Sequence, residues 1–397
     1  MLEYVTAGES HGPQLTAIVK NFPSGVKIID GDINRDLARR QMGYGRGGRM
    51  KIEKDKVEFL SGVRFGKTLG SPVTLVIKNR DYENWREVMN PAPIEGEGSK
   101  TVTRPRPGHA DLAGCLKYNH RDARNILERS SARETAARVA VGALCRGFLK
   151  NFGIEVFSHV AQIADVSAQY AHLAFDEIKE KAEASDVRCS DEKAAEKMRK
   201  RIDELKKLGD TAGGIVEVAA TGVPLGLGGV MNYDGKLDAL LAQSLMSIQS
   251  VKGVEIGLGF GAASVPGSDV HDAIHYGTEN VPQISGRGGS GRFYHSTNRA
   301  GGIEGGMSNG EPIIIRAAFK PIPTMMKPKR SVDLKTGEPF EASKERSDVC
   351  AVPAGGVVAE SAVTFVLARA FMEKFGGDSL DEITRNYQAF VDYMDQY

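Results

Sequence analysis

Two segments of this chain carry apolar or small residues on nearly every helical face, and no other feature constrains the fold as strongly. They are SARETAARVAVGALCRGFLKNF, residues 131–152, and GVVAESAVTFVLARAFMEKF, residues 356–375. A helix on the surface of a globular protein has one apolar stripe, whereas a helix that is apolar all round is buried. We therefore predict two central helices that the rest of the chain encloses.

Each of these helices ends one half of the chain, and the two halves share an order of elements. Residues 15–28 predict a strand, a turn and a second strand, followed by a helix in DINRDLARRQM with Asp32 as its N-cap. Residues 214–229 and the segment after them repeat this order, and both halves close on an Arg-x-Phe helix that ends in Phe-Gly. The shared order predicts a pseudo-two-fold repeat, with halves at about 10–155 and 210–378.

The predicted strands fall in hairpin-like pairs, which indicates antiparallel sheets. We expect an α+β fold in which antiparallel β-sheets sandwich the central buried helices, formed by a single domain over residues 1–397. The segment from about 165 to 207 lies between the halves and includes DEKAAEKMRKRIDELKKLGD, which mixes charges of both signs. This pattern is typical of a solvent-facing helix, so we interpret the segment as a charged helical insertion.

Composition argues against several classes of protein. No apolar run approaches the roughly 20 residues of a membrane-spanning helix, and the polar start does not resemble a signal peptide, so we expect a cytoplasmic protein with no membrane partner. The net charge of +1 argues against a general polyanion surface and against a nucleic-acid partner. The 4 cysteines form no CxxC pair, so we expect neither a metal site nor a disulfide framework.

An arginine-rich and glycine-rich segment, RRQMGYGRGGR, occupies residues 39–49. Guanidinium groups on such a loop can close around a phosphate or a carboxylate, for which their planar fork is suited. Two alternatives are a flexible solvated loop and an RNA-binding RGG segment. An RGG tract is usually longer and repeated, so the sequence favours a pocket for a small anion.

Two histidines lie in loops beside glycines. His11 is in GESHG, residues 8–12, and His109 is in RPRPGHADLAG, where it precedes Asp111. A single histidine is more often structural than catalytic. Two histidines in similar loops favour proton exchange with a ligand, because imidazole titrates near neutral pH and glycine allows the backbone to approach closely.

Two further motifs have both a structural and a functional interpretation. Ser131 and Glu134 fit a capping box at the start of the first apolar helix, and the same helix start is a candidate phosphate site. Arg346 and Asp348 lie two residues apart, so an extended chain would direct both side chains the same way. They form either a surface ion pair or part of an arginine-lined site.

Taken in order, these motifs resemble the chorismate synthase family over essentially the whole chain. The resemblance rests on GESHG, RPGHADLAG, RSSARETAARVAVGA, NRAGGIEGGMSNGEPI, KPIPT and RSDVCAVPAGG. It implies a lyase that eliminates phosphate from 5-enolpyruvylshikimate 3-phosphate to give chorismate, with reduced FMN and no net redox change. It also implies antiparallel sheets around helices and a homotetramer.

The resemblance assigns roles to particular residues. His11 matches the group that protonates the leaving phosphate, His109 the group near the reduced flavin, and Asp348 the carboxylate that relays a proton from flavin N5. The matching substrate-binding positions are Ser10, Arg40, Arg46, Arg49 and Arg133. The matching cofactor-binding positions are Arg129, Ser130, Ser131, Gln249, Ser250, Gly305, Lys320, Pro321, Ile322, Pro323, Thr324 and Arg346.

The source of reducing equivalents is a separate question. No GxGxxG lies between a predicted strand and a helix, so the dinucleotide-binding fingerprint is absent from the sequence. This favours an external flavin reductase, with NADPH as an indirect reductant, over reduction of the flavin by this chain. The sequence leaves both radical and ionic elimination open.

Overall fold

The computed structural model describes residues 1–47, 53–93, 100–277, 293–327, 329–342 and 348–397. The α-helices are α1 (Asp30–Gln41), α2 (Asp111–Tyr118), α3 (Arg124–Ser130), α4 (Thr135–Leu149), α5 (Phe175–Ala184), α6 (Glu192–Lys207), α7 (Leu237–Met246), α8 (Gly267–Val270), α9 (Val352–Phe375) and α10 (Leu380–Gln396). Short 3-10 helices occupy Arg80–Asn84, Ala132–Glu134, Lys150–Phe152, Tyr233–Gly235 and Gly259–Ser264.

The first half contributes the strands β1 (Glu3–Ala7), β2 (Gln14–Lys20), β3 (Val57–Ser61), β4 (Val63–Arg64), β5 (Lys67–Thr68) and β6 (Val73–Lys78). The remaining strands are β7 (Glu155–Ile163), β8 (Val166–Ser167), β9 (Gly214–Thr221), β10 (Val251–Ile256), β11 (Ile274–Tyr276), β12 (Phe293–His295), β13 (Ile303–Glu304), β14 (Met307–Ser308), β15 (Ile313–Phe319), β16 (Arg330–Val332) and β17 (Pro339–Glu341).

The first sheet has the strand order β1-β2-β6-β3, and every neighbouring pair is antiparallel. Side chains along β2 alternate between its two faces, since Leu15, Ala17 and Val19 are buried while Ile18 and Lys20 are exposed. One face of the sheet therefore packs on the core and the other faces outwards, as antiparallel sheets commonly do.

The second sheet has the order β10-β15-β9-β7-β8 and is also antiparallel. Its strand β9 is buried on both faces, because Val216 and Val218 lie in the main core while Ala219 packs with Phe157 and Ile178 in a smaller cluster. Helix α5 carries Ile178 and contacts β7. Mixed helices and antiparallel sheets confirm the α+β class.

The two segments predicted to be buried helices form α4 and α9. They pack against each other, and α4 contacts β2 and β6 while α9 contacts β7 and β9. A Cβ atom added at Gly142 of α4 would lie 2.4 Å from Cβ of Ser361 on α9, so the helices touch through small residues. Helix α9 is long and apolar enough to cross a membrane, but 83% of its apolar 18-residue window is buried inside the fold.

Some local predictions need correction. The second strand predicted within residues 15–28 does not form, since β2 ends at Lys20, and Ser24 and Lys27 make isolated bridges. Helix α1 begins at Asp30, so Asp32 is not its N-cap and instead lies 3.0 Å from Arg35 in an ion pair of the first turn. The predicted helix in the charged segment forms as α6, but it is not solvent-facing all round. Met198 and Ile202 are buried in the main core, because the apolar residues of α6 lie on one side of the helix.

A buried ion network centred on Glu360 joins α9 to α1 and α4. One carboxylate oxygen of Glu360 lies 2.8 Å from Arg39 and 3.1 Å from Arg188, and the other lies 2.9 Å from Arg146. Burial disfavours the charged carboxylate, but the three guanidinium groups outweigh this and lower the pKa of Glu360 to about 2. Because Arg39 precedes Arg40, the network holds the end of α1 that carries Arg40.

Replacing Glu360 with Gln should lower the free energy of unfolding by about 3–5 kcal/mol, because the buried guanidinium groups lose their shared carboxylate. Urea denaturation at neutral pH measures this change. The matched control is Glu373→Gln, on the same helix but exposed, which should change stability by less than about 0.5 kcal/mol.

The same network predicts the acid dependence of stability. The pKa of Glu360 is depressed on folding, so its contribution is complete above the ordinary value of 4.5 and is lost as pH falls towards about 2. Over this window, the free energy of unfolding measured at a series of pH values should therefore change more for the wild type than for Glu360→Gln. Equal pH slopes, or an equal loss in Glu373→Gln, would contradict this account of the network.

Candidate active site

His11 lies in the loop between β1 and β2, and Glu128 of α3 holds its ring. Nδ1 of His11 lies 2.9 Å from each carboxylate oxygen of Glu128, and the His11 backbone N–H donates to Oε2 at 2.9 Å. The other contact is a stack on Trp85, with ring centroids 3.9 Å apart. Nδ1 is therefore committed to Glu128. The His11 side chain is 17% exposed, so Nε2 is the ring nitrogen that can meet a ligand.

Glu128 is a buried and ionised carboxylate. Burial raises its pKa, but the hydrogen bonds and charge of His11, followed by the charge of Arg124, outweigh burial and lower the pKa below its usual value. Arg124 lies one helical turn earlier, with Nη1 3.0 Å from Oε1 of Glu128. A negative charge is therefore maintained beside His11.

Asn79, directly after β6, holds the other side of the His11 loop. Its Nδ2 donates to the carbonyl oxygens of Glu9 and Gly12 at 3.1 and 2.7 Å, and its Oδ1 accepts from Nε of Arg133 at 2.9 Å. At Gly8, φ is +109° and a Cβ atom would collide with the backbone of β2. Gly8 is therefore required by the turn, and Asn79 connects the loop to the arginine cluster.

Arg133 and Arg40 share a buried carboxylate. Nη1 of Arg133 donates to both oxygens of Asp55 at 2.6 and 2.7 Å, and Nη1 of Arg40 lies 3.6 Å from the same group. Arg40 also donates to Thr135 and to the carbonyl of Ala132. The sequence predicted an anion pocket from a loop, whereas Arg40 belongs to α1 and Arg133 to the 3-10 turn before α4, and both are buried.

This arginine pair retains unused hydrogen-bonding capacity. Among the described residues, Nη1 of Arg40 and Nη2 of Arg133 are buried and make no hydrogen bond. Burial lowers the pKa of Arg40 to about 9; Asp55 opposes this, and Arg133 and Arg46 add to it. Glu53 adds a second buried carboxylate, with Oε2 3.7 Å from Nη2 of Arg133, so the nitrogens without hydrogen bonds, and not a surplus of positive charge, are what favour an anionic ligand here.

Arg46 and Asp348 form an ion pair near this cluster. Nη1 of Arg46 lies 2.9 Å from Oδ2 of Asp348, and the N–H of Gly47 donates to Oδ1 at 2.5 Å. Both side chains are partly exposed. Arg49 and Arg346, also predicted for this site, lie outside the described residues.

His109 precedes α2 and is the second histidine bound to a carboxylate. Its Nδ1 lies 2.6 Å from Oδ1 of Asp111, while Nε of Arg106 donates to Oδ2 at 2.9 Å. Burial raises the pKa of Asp111, but the hydrogen bonds from His109 and Arg106 outweigh it and hold the pKa well below its usual value. A Cβ atom at Gly114 would lie 2.4 Å from Ile126, so α2 packs closely on α3.

The segment Lys320 to Thr324 adjoins the His109 loop. Nζ of Lys320 donates to the carbonyl of Gly108 at 2.5 Å, and a Cβ atom at Gly108 would lie 3.3 Å from Pro323. The backbone N–H of Lys320 donates to the carbonyl of Ser250, and the carbonyl of Ile322 accepts from the hydroxyl of Thr211. Pro321 and Thr324 lie in this same segment.

Gln249 connects this segment to the start of α4. Its Nε2 donates to Oε2 of Glu134 at 3.4 Å, while its Oε1 is buried with no hydrogen-bond partner among the described residues. Burial raises the pKa of Glu134, but Arg138 and the hydroxyl of Thr6 outweigh it and lower the pKa. The predicted capping box does not form, because this carboxylate binds Thr6 and Arg138 instead of returning to Ser131.

The helix-start residues predicted to bind a cofactor have local partners. Nη2 of Arg129 donates to the carbonyl and hydroxyl oxygens of Thr6. The hydroxyl of Ser130 donates to the carbonyl of Ile126, and that of Ser131 accepts from the N–H of Arg133. Ser10 is also buried, with its N–H on the carbonyl of Glu128.

Gly305 lies apart from the other predicted residues. It is in the turn between β13 and β14, where a Cβ atom would meet Val230 alone within 4 Å among the described residues. Across all the residues that the structure describes, no group of three or more His, Cys, Asp or Glu side chains is placed to hold a metal ion.

Sequence reasoning missed Glu128, Asn79, Asp55 and Trp85. Asp55 and Asn79 lie just before β3 and just after β6, and polar residues at strand ends are a usable signal. Glu128 directly precedes the Arg-Ser-Ser motif but carries no pattern of its own. Its role depends on α3 lying beside a loop more than a hundred residues earlier.

The fold and site define a class of protein before any comparison: an α+β enzyme with carboxylate-bound histidines beside buried arginines, suited to an anionic substrate. A family model described as chorismate synthase matches residues 2–372. The chain is 58% identical to chorismate synthase of Geobacter sulfurreducens over 394 residues, covering 99% of both chains. It is 59% identical over 392 residues to that of Pelobacter propionicus, again covering 99% of both.

A solved crystal structure of chorismate synthase is similar at a TM-score of 0.79 and 40% identity, covering 100% of this chain and 99% of that chain. This chain therefore belongs to the chorismate synthase family.

Replacing Asn79 with Ala should lower the free energy of unfolding by about 1–3 kcal/mol, because buried groups of the His11 loop and Arg133 lose their partners. Urea denaturation measures the change. Asn84→Ala is the control, since Asn84 is exposed and its side-chain amide donates to Asp81 three residues earlier and to no carbonyl of the His11 loop. Similar losses in both variants would show that Asn79 does not hold the loop.

Proposed function

We propose that this protein converts 5-enolpyruvylshikimate 3-phosphate to chorismate and phosphate, a step of the shikimate pathway that leads to aromatic amino acids. Its family membership supports this activity. The structural observation that carries the proposal is the connection of His11 to Arg133 through Asn79, which joins a proton-exchanging group to a cationic pocket.

The substrate carries a phosphate and two carboxylates, and the buried arginines supply the opposite charge. Arg40 and Arg133 each keep one buried nitrogen without a hydrogen bond, which supports anion binding. Arg46 lies at the partly exposed side of the cluster. We propose that these three residues and Ser10 orient the substrate, together with Arg49.

The reaction is a 1,4-elimination. The C–O bond to the 3-phosphate breaks and its electron pair leaves with the phosphate, C6 loses a proton that Asp348 would carry away, and the single ring double bond is replaced by a conjugated diene. We propose that His11 donates a proton from Nε2 to the departing phosphate, because Nδ1 is held by Glu128 and the ring is partly exposed.

Asp348 and His109 complete the proposed set of catalytic groups. Asp348 is a partly exposed carboxylate beside Arg46, which supports a role in carrying a proton at one of its oxygens. His109 is oriented by Asp111, and the neighbouring Gly108 accepts from Lys320, which supports a place for His109 beside the Lys320 to Thr324 segment.

The residues present fit reduced FMN. The buried Oε1 of Gln249 lacks a hydrogen-bond partner among the described residues, so it can accept from a ring N–H, and Arg129 and Lys320 offer cationic donors. When bound, reduced FMN supplies an electron-rich ring that stabilises the charge developing on the substrate. The proposed holding residues are Arg129, Ser130, Ser131, Gln249, Ser250, Gly305, Lys320, Pro321, Ile322, Pro323, Thr324 and Arg346.

We also propose that the fold is a sandwich with a pseudo-two-fold repeat. The strand order β1-β2-β6-β3 corresponds to β7-β9-β15-β10, and α4 and α9 pack on their respective sheets while contacting each other. A hydroxyl in the second strand of the β4–β5 hairpin and one in the second strand of the β13–β14 hairpin make matching hydrogen bonds to a proline carbonyl. Thr68 donates to the carbonyl of Pro23 at 2.6 Å, and Ser308 donates to that of Pro224 at 2.6 Å.

Domain organisation, assembly and location follow the same proposal. One apolar core with residues of both halves and of α6 supports a single domain that includes the charged insertion at about 165–207. The family resemblance supports a homotetramer and a cytoplasmic location. The missing dinucleotide fingerprint supports an external flavin reductase, with NADPH as indirect reductant.

Anaerobic phosphate release from the substrate tests the activity. Chemically reduced FMN should support release, and oxidised FMN with NADPH alone should not. No release in either mixture would contradict the lyase activity, and an RNA-binding or purely anion-binding protein would give that result. Release with oxidised FMN and NADPH would contradict only the proposal of an external reductase and would leave the lyase activity supported.

His11→Ala should slow phosphate release by about 10² to 10⁴-fold, because the leaving phosphate loses its proton donor. The affinity for FMN, measured by absorbance titration, should stay within about twofold. His172→Ala, at an exposed histidine, is the control and should keep full activity. A variant of His11 that loses FMN affinity but keeps elimination would show that His11 serves the flavin.

A further inference from the structure

We propose that Glu128 is a positioning residue for His11: it holds a ring proton on Nδ1 and thereby leaves Nε2 as the nitrogen that exchanges a proton with the ligand. This inference rests on the proposed function of His11. Glu128 itself touches no reacting atom. It acts through the histidine, as the buried carboxylate of a catalytic triad acts through its imidazole.

The geometry of the pair is more specific than an incidental ion pair. Glu128 meets His11 at three places, because both carboxylate oxygens lie 2.9 Å from Nδ1 and one also accepts the backbone N–H. The Glu128 side chain is 2% exposed. A carboxylate that leaves water costs free energy unless it is paired, so its burial beside His11 requires the pairing.

Trp85 fixes the ring from its flat side. The two rings are inclined by 25°, with centroids 3.9 Å apart, and the indole N–H donates to Asp81 at 3.1 Å. Glu128 thus sets the direction of Nδ1 and Trp85 sets the plane of the ring. With both fixed, the direction in which Nε2 points from the ring is also fixed.

The charges around His11 come from several elements. They are Glu128 and Arg124 of α3, Glu9 of the same loop, and Asp81 and Lys100 on the Trp85 side. Nζ of Lys100 lies 3.9 Å from the Trp85 centroid, so a cation lies on that side. Glu128 is the group that hydrogen-bonds to the ring. Arg124 donates to the same carboxylate and so weakens the interaction of Glu128 with His11.

The proton balance follows from this arrangement. The protonated ring carries hydrogens on both nitrogens. The Nε2 proton passes to an oxygen of the departing phosphate, while the Nδ1 proton remains between His11 and Glu128. The ring is left neutral with its remaining hydrogen on Nδ1, and Glu128 stays ionised.

Substitutions at Glu128 and Arg124 should change the tautomer of the His11 ring in opposite directions. Glu128→Gln removes the charge, and its amide can turn to donate to Nδ1, so the fraction of neutral rings with the proton on Nδ1, measured by 15N NMR of the full chain, should fall. Arg124→Gln removes the competing cation and should raise this fraction. Glu128→Asp keeps the charge and should restore part of the effect.

The single-turnover rate of phosphate release provides the second measurement. In Glu128→Gln, the rate at neutral pH should fall by about 10 to 100-fold, because part of the rings would present the wrong nitrogen to the ligand. The KM and the FMN affinity should stay within about twofold. A structural role alone would weaken the rate, KM and FMN binding together.

The outcomes separate this inference from the proposed function. Tautomer fractions that do not change, or change in the same direction in both variants, overturn the role of Glu128 even if the wild type releases phosphate. Fractions that change as expected support it even if the wild type releases none, in which case the lyase activity fails. If Glu128→Gln does not fold, Glu128→Asp and Arg124→Gln carry the same comparison.

Discussion

The close packing of α4 on α9 is the constraint on which the rest of the structure depends. The helices approach so closely at Gly142 and Ser361 that a Cβ at the glycine would overlap the other helix. Each helix also covers one sheet, so this contact fixes the distance between the two sheets. The 3-10 turn that carries Arg133 leads directly into α4, and the arginine cluster is therefore positioned by the core itself.

Buried charge is organised in two groups with different properties. Around Glu360, the guanidinium groups of Arg39, Arg146 and Arg188 surround one buried carboxylate inside the helix junction, which serves the fold. Around Asp55, two guanidinium groups share a carboxylate beside Glu53 and keep two nitrogens without hydrogen bonds among the described residues. Because Asn79 joins this second group to the His11 loop, its nitrogens are the ones placed to bind an anion at the candidate site.

Individual residues show how far the sequence alone could be interpreted. Apolar residues on all faces predicted the burial of α4 and α9, and the motifs identified His11 and His109. The N-cap at Asp32 was wrong, since α1 begins two residues earlier. The capping box was wrong because Glu134 has better partners in Arg138 and Thr6, which no local pattern reveals.

By itself, the sequence determined the buried helices, the α+β class, the family and the identity of the candidate proton donors, because periodicity and motif spacing are local properties. Only the tertiary structure decided which carboxylate each histidine meets. Asp111 is two residues from His109 and could be foreseen, whereas Glu128 reaches His11 across 117 positions of sequence. Such a contact exists because α3 packs beside the loop after β1, and packing between distant elements leaves no periodic signal in the chain.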